Sequence, residues 1–244
     1  NIKAHFQKTG FTKAIIGLSG GIDSAVSAVL VAKAIGKENV TAILMPEKGL
    51  SLKQNVEDAA SLCRKFGIRH EIVPINPFVN ASVLLPWKSS RLALMNMKSR
   101  IRAVILYNYA NTHDALVVGT SNKSEILLGY FTKYGDGAVD FEAIGSLYKT
   151  EVVALGRYLG IPASILQKKP TAELDIGQTD EGELGADYEE IDEILKAMGR
   201  NYTASYYRET IMSLFSEIPD IGLGTDIIVG FPNETEEEFR ETLD

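Results

Sequence analysis

The sequence holds a single cysteine and three scattered histidines among its 244 residues. Cys63 has no partner for an internal disulfide and falls in a helical pattern, so it reads as a small core residue in a reducing compartment. His5, His70 and His113, even with that cysteine, form no zinc or iron–sulfur spacing. No apolar run approaches the roughly 18 residues of a membrane span. Asn1 to Gly10 is amphipathic without an apolar leader core, and no secretory signal is expected there. No broad basic field for nucleic acid is visible. No internal repeat or low-complexity tract is evident. A cytoplasmic protein with no nucleic-acid or membrane partner is expected.

What is present is an ordinary globular composition, 45% apolar and 23% charged. The length fits one large domain, or one domain with an appendage. The net charge of −7 is placed unevenly. Residues 201–244 hold ten acidic and two basic side chains, a balance of −8, which leaves +1 for the first 200 residues. That asymmetry gives the C-terminal segment a different character.

Strand-like runs at Ala14–Leu18, Val40–Met45, His70–Ile75 and Ala115–Gly119 alternate with helical patterns at Ser24–Ile35, Leu52–Phe66, Ser89–Asn111 and Lys149–Leu159. A further helix reads at Tyr188–Ala197. This order predicts an α/β fold: a Rossmann-like, doubly wound parallel sheet with helices on both faces. The strands are almost wholly apolar, as a sheet covered on both sides requires. Ligands then belong at the carboxyl ends of the strands. Tyr130 to Gly145 and Lys168 to Gly185 lose periodicity and read as loops able to close over a site.

The sharpest signal is Gly17-Leu18-Ser19-Gly20-Gly21-Ile22-Asp23-Ser24, set between a strand and a helix. That arrangement aims backbone N–H groups and a helix N-terminus at an anion. The glycines admit unusual backbone angles and let a phosphate approach closely. Ser19 and Ser24 add hydroxyl donors, and Asp23 sets a carboxylate where Mg²⁺ would sit beside a phosphate. The loop lacks the lysine of the G-x-x-x-x-G-K-[ST] pattern, so it is not a Walker A loop. S-G-G-x-D-S resembles the pyrophosphate loop of the N-type ATP pyrophosphatases, which split ATP into AMP and pyrophosphate.

A second cluster, Gly119-Thr120-Ser121-Asn122-Lys123-Ser124-Glu125, also follows a strand. Glu125 is a candidate second carboxylate for Mg²⁺ opposite Asp23, and Thr120 a candidate ATP contact. The same residues also read as a plain helix start with Ser121 as cap and Glu125 exposed. Lys133 and Lys149 lie in or beside a Gly/Asp/Tyr-rich stretch and suit a polyanion as point charges. Arg100 and Arg102, two apart on one helix, must face different ways, so one reaches a ligand at most.

In this order the motifs resemble the ammonia-dependent NAD synthetases. The matching segments are GLSGGIDS, NMKSRIRAVILYNYAN, VGTSNKSEILLGYFTKYGDGAVDFEAIGSLYKTEV and KPTAELDIGQTDEGELGADYEEID, spanning nearly all of residues 1–197. The resemblance implies an adenine nucleotide alpha hydrolase-like domain over 1–197. It implies that Gly17, Leu18, Ser19, Gly20, Gly21, Ile22, Asp23 and Ser24 cradle the ATP phosphates, with Asp23 and Glu125 on Mg²⁺. Thr120, Lys149 and Thr171 would contact ATP. Arg100, Lys133 and Asp140 would contact nicotinate adenine dinucleotide. Asp23, Glu125 and Lys149 form the implied catalytic set, ammonia the implied nitrogen donor, and a homodimer the implied assembly.

The family's basic segment near the C-terminus has no counterpart, since no histidine follows His113 and no lysine follows Lys196. Residues from about 198 to 244, above all TDIIVGFPNETEE, resemble a fragment of the radical SAM methylthiotransferases that modify tRNA. They read as helix (Ala204–Ser216), strand (Ile221–Gly230) and helix (Glu236–Leu243). The fragment lacks the cysteines of an iron–sulfur cluster. A fusion junction is expected near 198–202.

Overall fold

In the computed structural model, residues 2–171, 173–175, 177–198 and 212 are described. The chain divides into two compact units, Asn1–Glu193 and Ile194–Asp244, and the site lies within the first. Apart from Met212, the tail elements expected after residue 203 lie outside the described residues.

The described elements run in the order α1 (Ile2–Thr9), β1 (Lys13–Gly17), α2 (Ile22–Ile35), β2 (Val40–Leu44), α3 (Lys53–Phe66), β3 (Arg69–Ile72), α4 (Asn76–Asn80), α5 (Arg91–His113), β4 (Ala115–Gly119), α6 (Lys123–Leu128), β5 (Phe141–Glu142), α7 (Lys149–Leu159), α8 (Ala163–Leu166), α9 (Asp180–Leu184) and α10 (Tyr188–Met198). The five strands form one parallel sheet in the order β3-β2-β1-β4-β5.

Alternation explains the apolar strands. Ala14 and Ile16 of β1, Val40, Ala42 and Leu44 of β2, and Leu116 and Val118 of β4 enter one core with α2 and α3. Ile15, Ile43, Ala115 and Val117 point to the other face, into a second core with α5. Both faces are covered, so neither can be polar. The edge strand β3 is the exception: Arg69 and Glu71 are exposed and pair with each other at 3.0 Å.

The sheet order reverses between β1 and β4, the switch point where such folds bind ligands. β1 leads into the glycine loop and α2, and β4 leads into Gly119, Thr120 and α6. The two most telling motifs of the sequence are therefore neighbours in space. β5 departs from the sequence expectation, in which Tyr130 to Gly145 is loop. It is only two residues long, pairs with Val118 and Gly119, and has no periodicity to betray it. Among the described residues, no helix is long and apolar enough to cross a membrane.

Candidate active site

Gly17 to Ser24 line a cavity of about 580 Å³ at the carboxyl end of the sheet. No side chain caps the N-terminus of α2. Its first-turn N–H groups and the positive end of its dipole are therefore available to an anion. The two glycines do different jobs. Gly20 has φ +87°, and a side chain there would meet the Asn55 carbonyl oxygen at 2.3 Å. Gly21 caps α2 with φ −86°, an angle any residue adopts. The two serines expected as hydroxyl donors also bond within the loop. Ser24 is buried and donates to the Gly21 carbonyl at 3.1 Å, while the Ser19 hydroxyl accepts the Gly21 N–H at 3.2 Å. The serines brace the loop, because a tight turn must pair its own polar groups first.

Asp23 in the first turn of α2 meets Asn122 across the switch point, the Asn122 amide donating to Oδ1 at 3.0 Å. The other Asp23 oxygen pairs with the Lys149 ammonium at 2.5 Å, and Glu125 Oε1 stands 3.6 Å from the same ammonium. Lys149 is 4% exposed, at the start of α7. The cap of α6 is Asn122 and not Ser121: its side chain accepts the Glu125 N–H, and Glu125 Oε2 accepts the Asn122 N–H, both at 3.0 Å. Glu125 thus closes a capping box with one oxygen and offers the other to the site, instead of lying exposed.

Burial, and then the charge of Asp23, raise the proton affinity of the Glu125 carboxyl. Burial lowers the proton affinity of Lys149, but the carboxylates of Asp23 and Glu125 outweigh it and hold the ammonium charged. Asp180 lies next in this network and is also raised, by burial first. The Tyr188 hydroxyl joins the two carboxyls, 3.3 Å from Asp180 and 3.5 Å from Glu125. Among the described residues, no group of three or more His, Cys, Asp or Glu could by itself hold a metal ion.

Thr120 and Thr171 also line the cavity. Arg100, Lys133 and Asp140 are not among its lining residues. Arg100 Nε donates to the Lys133 carbonyl at 3.2 Å. Asp140 accepts the Val117 N–H at 2.7 Å and the Tyr107 hydroxyl at 3.2 Å. Arg102 is the arginine of the pair that enters the cavity, its Nε donating to the Met45 carbonyl at 3.2 Å.

Two residues of the site region, Asp192 and Lys168, are marked as site residues by no signal in the sequence. Asp192 on α10 accepts from Ser124 and, at 2.8 Å each, from the Thr150 N–H and hydroxyl. Ser124 in turn accepts the Lys149 N–H at 3.0 Å. Lys168 pairs with Asp58 at 2.6 Å. Only the resulting contacts reveal them, because each acts across more than 40 residues of sequence.

A phosphate-type loop, an uncapped helix end and a buried carboxylate–lysine cluster at the switch point of a parallel sheet define a nucleotide-binding α/β protein. Residues 1–214 match the family model described as NAD synthase. The NH(3)-dependent NAD(+) synthetase of Archaeoglobus fulgidus is 49% identical over 195 residues, 80% of this chain and 79% of that protein. The structure of NMN synthetase from Francisella tularensis superposes with TM-score 0.76 at 33% identity, over 93% of this chain and 94% of that one. NH3-dependent NAD synthetase from Campylobacter jejuni, in complex with nitrate, gives 0.69 at 35% identity over 93% of both chains. The chain belongs to the NAD synthase family. The family match runs to residue 214, past the junction expected at 198–202, and nothing in these comparisons supports a methylthiotransferase origin for the tail.

Proposed function

We propose that the chain is an ammonia-dependent NAD⁺ synthetase, amidating nicotinate adenine dinucleotide at the expense of ATP. The observation that carries this reading is the meeting of Asp23, Glu125 and Lys149 beside the open N-terminus of α2, within one cavity of a chain of this family. A nicotinate carboxylate is a poor acyl donor. Its oxygen attacks the α-phosphorus of ATP, pyrophosphate leaves, and an acyl-adenylate results. Ammonia then attacks the acyl carbon, AMP leaves with the acyl C–O electrons, and a proton is lost from nitrogen to give the amide.

The residues fit a Mg²⁺ ion. Two hard carboxylate oxygens converge on one cation, 2.5 and 3.6 Å from the Lys149 ammonium, so two carboxylates face a single positive charge. Mg²⁺ commonly takes one or two carboxylates and completes its shell with phosphate oxygens and water. Asp23 and Glu125 would hold it, and when bound it would supply charge neutralisation at the phosphates. The loop amides and the α2 dipole orient the triphosphate. Lys149, kept charged by its neighbours, offers a positive group to the transferring phosphorus. Burial of this cluster excludes water that would hydrolyse the adenylate.

Arg100, Lys133 and Asp140 belong to the dinucleotide in this reading. Arg100 lies on α5 one turn before Val104, which is 66% exposed, and Lys133 and Asp140 are held against the same helix by Arg100 and Tyr107. An exposed valine among these residues fits a homodimer with the acceptor bound near its interface. A second reading, a mononucleotide acceptor, draws on the likeness to an NMN synthetase.

The test incubates the protein with ATP, Mg²⁺, ammonium and either nicotinate adenine dinucleotide or nicotinate mononucleotide. Equal amounts of AMP and NAD, with preference for the dinucleotide, are expected. Preference for the mononucleotide selects the second reading. AMP formed only with another acceptor, or binding without AMP, overturns both.

A further inference from the structure

We propose that Lys168 is a positioning residue for the phosphate site: held by Asp58, its ammonium grips the Gly20 carbonyl and fixes the Gly20–Gly21 peptide. This rests on reading the cavity as an ATP site. The ammonium stands 3.1 Å from the Gly20 oxygen and 2.6 Å from Asp58 Oδ2. Asp58 is itself held, Oδ1 accepting from Gln54 Nε2 and from the Ser164 hydroxyl at 3.0 Å each. Its carboxylate is buried on α3. Lys168 is therefore clamped between a fixed anion and a loop carbonyl.

The position gripped is the one where the loop is softest. Gly20 lies at φ +87°, and a glycine offers little resistance to a flip of the peptide that follows it. The C=O and N–H of one peptide point in opposite directions. Holding the Gly20 carbonyl on Lys168 therefore turns the Gly21 N–H the other way, onto the Ser19 hydroxyl at 3.2 Å. With the lysine removed, a flipped peptide would turn its carbonyl toward Ser19 and break the Gly21–Ser19 hydrogen bond that braces the loop, and anion binding would suffer.

The same clamp seats a second wall of the cavity. Lys168 opens the segment that carries Thr171 and Glu173, and Glu173 accepts from the Asn55 amide at 2.5 Å. Asn55 and Asp58 lie one turn apart on α3, and the Asn55 carbonyl is the group that crowds Gly20. One helix face thus registers the glycine loop and the Lys168 segment together.

The competing role is direct: Lys168 as a phosphate ligand, restrained by Asp58. Calorimetric binding of α,β-methylene-ATP with Mg²⁺ to the full chain separates the two, with melting temperature and both KM values measured alongside. Lys168→Met is expected to weaken the analogue about tenfold, as loss of a charged hydrogen bond implies, with acceptor KM nearly unchanged and a lower melting temperature because the buried Asp58 carboxylate loses its cation. Lys168→Arg should restore part of the affinity. Asp58→Asn should weaken binding in the same direction, and the double variant should be no worse than Lys168→Met. Unchanged analogue affinity in Lys168→Met overturns the proposal. So does Asp58→Asn binding as tightly as wild type or tighter while Lys168→Met weakens, which is the signature of a direct ligand. Wild-type protein that binds the analogue but forms no NAD removes the amidation reading and leaves the Lys168 comparison standing.

Discussion

Glu125 serves the fold and the site with different oxygens, and the two uses can be separated. Oε2 closes the capping box of α6, while Oε1 faces Lys149 and Tyr188. A glutamine at the same position still accepts the Asn122 N–H, so Glu125→Gln keeps the cap and removes the charge. Asp23→Asn makes the matching change on α2. Each is expected to lower turnover by about 10²–10³-fold with little change in melting temperature, because charge stabilisation at the phosphates is lost. Near-normal turnover in either variant would remove that residue from the site.

Glu142 offers a pH test away from this cluster. Burial pushes its carboxyl up to about 7, although it accepts the Ser121 N–H at 2.9 Å. Between the ordinary carboxylate value of 4.5 and about 7, the folded chain holds a proton that the unfolded chain has released. Its contribution to stability is full below 4.5 and is lost as pH rises through 7. Glu142→Gln should remove a fall of at most about 3 kcal/mol across that window, read from urea unfolding at several pH values. An unaltered slope would mean that Glu142 ionises freely in the fold.

At the scale of elements, legibility followed packing. The central strands β1, β2 and β4 are plain in the sequence because both faces are buried: β4 matches its expected range, and β1 and β2 differ from theirs by one residue. β3 was placed at His70–Ile75 but runs Arg69–Ile72, since an edge strand with exposed charge carries no apolar run. β5 had two residues and no pattern. The glycine loop and Glu125 were legible as motifs, whereas the choice between Arg100 and Arg102 needed the actual rotation of α5 about its axis. α10 was legible as a helix, but its purpose was not. Asp192 ties it to Ser124 on α6 and Thr150 on α7, the elements that present Glu125 and Lys149. Asp192→Ala leaves those buried donors unpaired and should cost about 3 kcal/mol or more, with turnover falling in step. Urea unfolding checks this: a change under about 0.5 kcal/mol would show that the network is replaceable.

The whole molecule joins two facts that single residues leave apart. The cavity takes in the phosphate loop, Thr120, Glu125, Lys149 and Thr171, but not Arg100, Lys133 or Asp140. Arg100, Val104 and Tyr107 recur at helical spacing along α5, and Tyr107 reaches Asp140. The charged groups assigned to the dinucleotide thus flank the exposed Val104. If a second copy covers this face, it brings the acceptor groups into an enclosed site that one chain lacks. Val104→Glu should then turn a dimer into a monomer by sedimentation at micromolar concentration. It should raise the acceptor KM about tenfold or more while leaving ATP-analogue binding intact, because a buried unpaired charge opposes association more strongly than a lost contact does. The double readout is what makes the test sharp. A variant that stays dimeric places the interface elsewhere, and a monomer with unchanged acceptor KM would show that one chain carries the whole acceptor site.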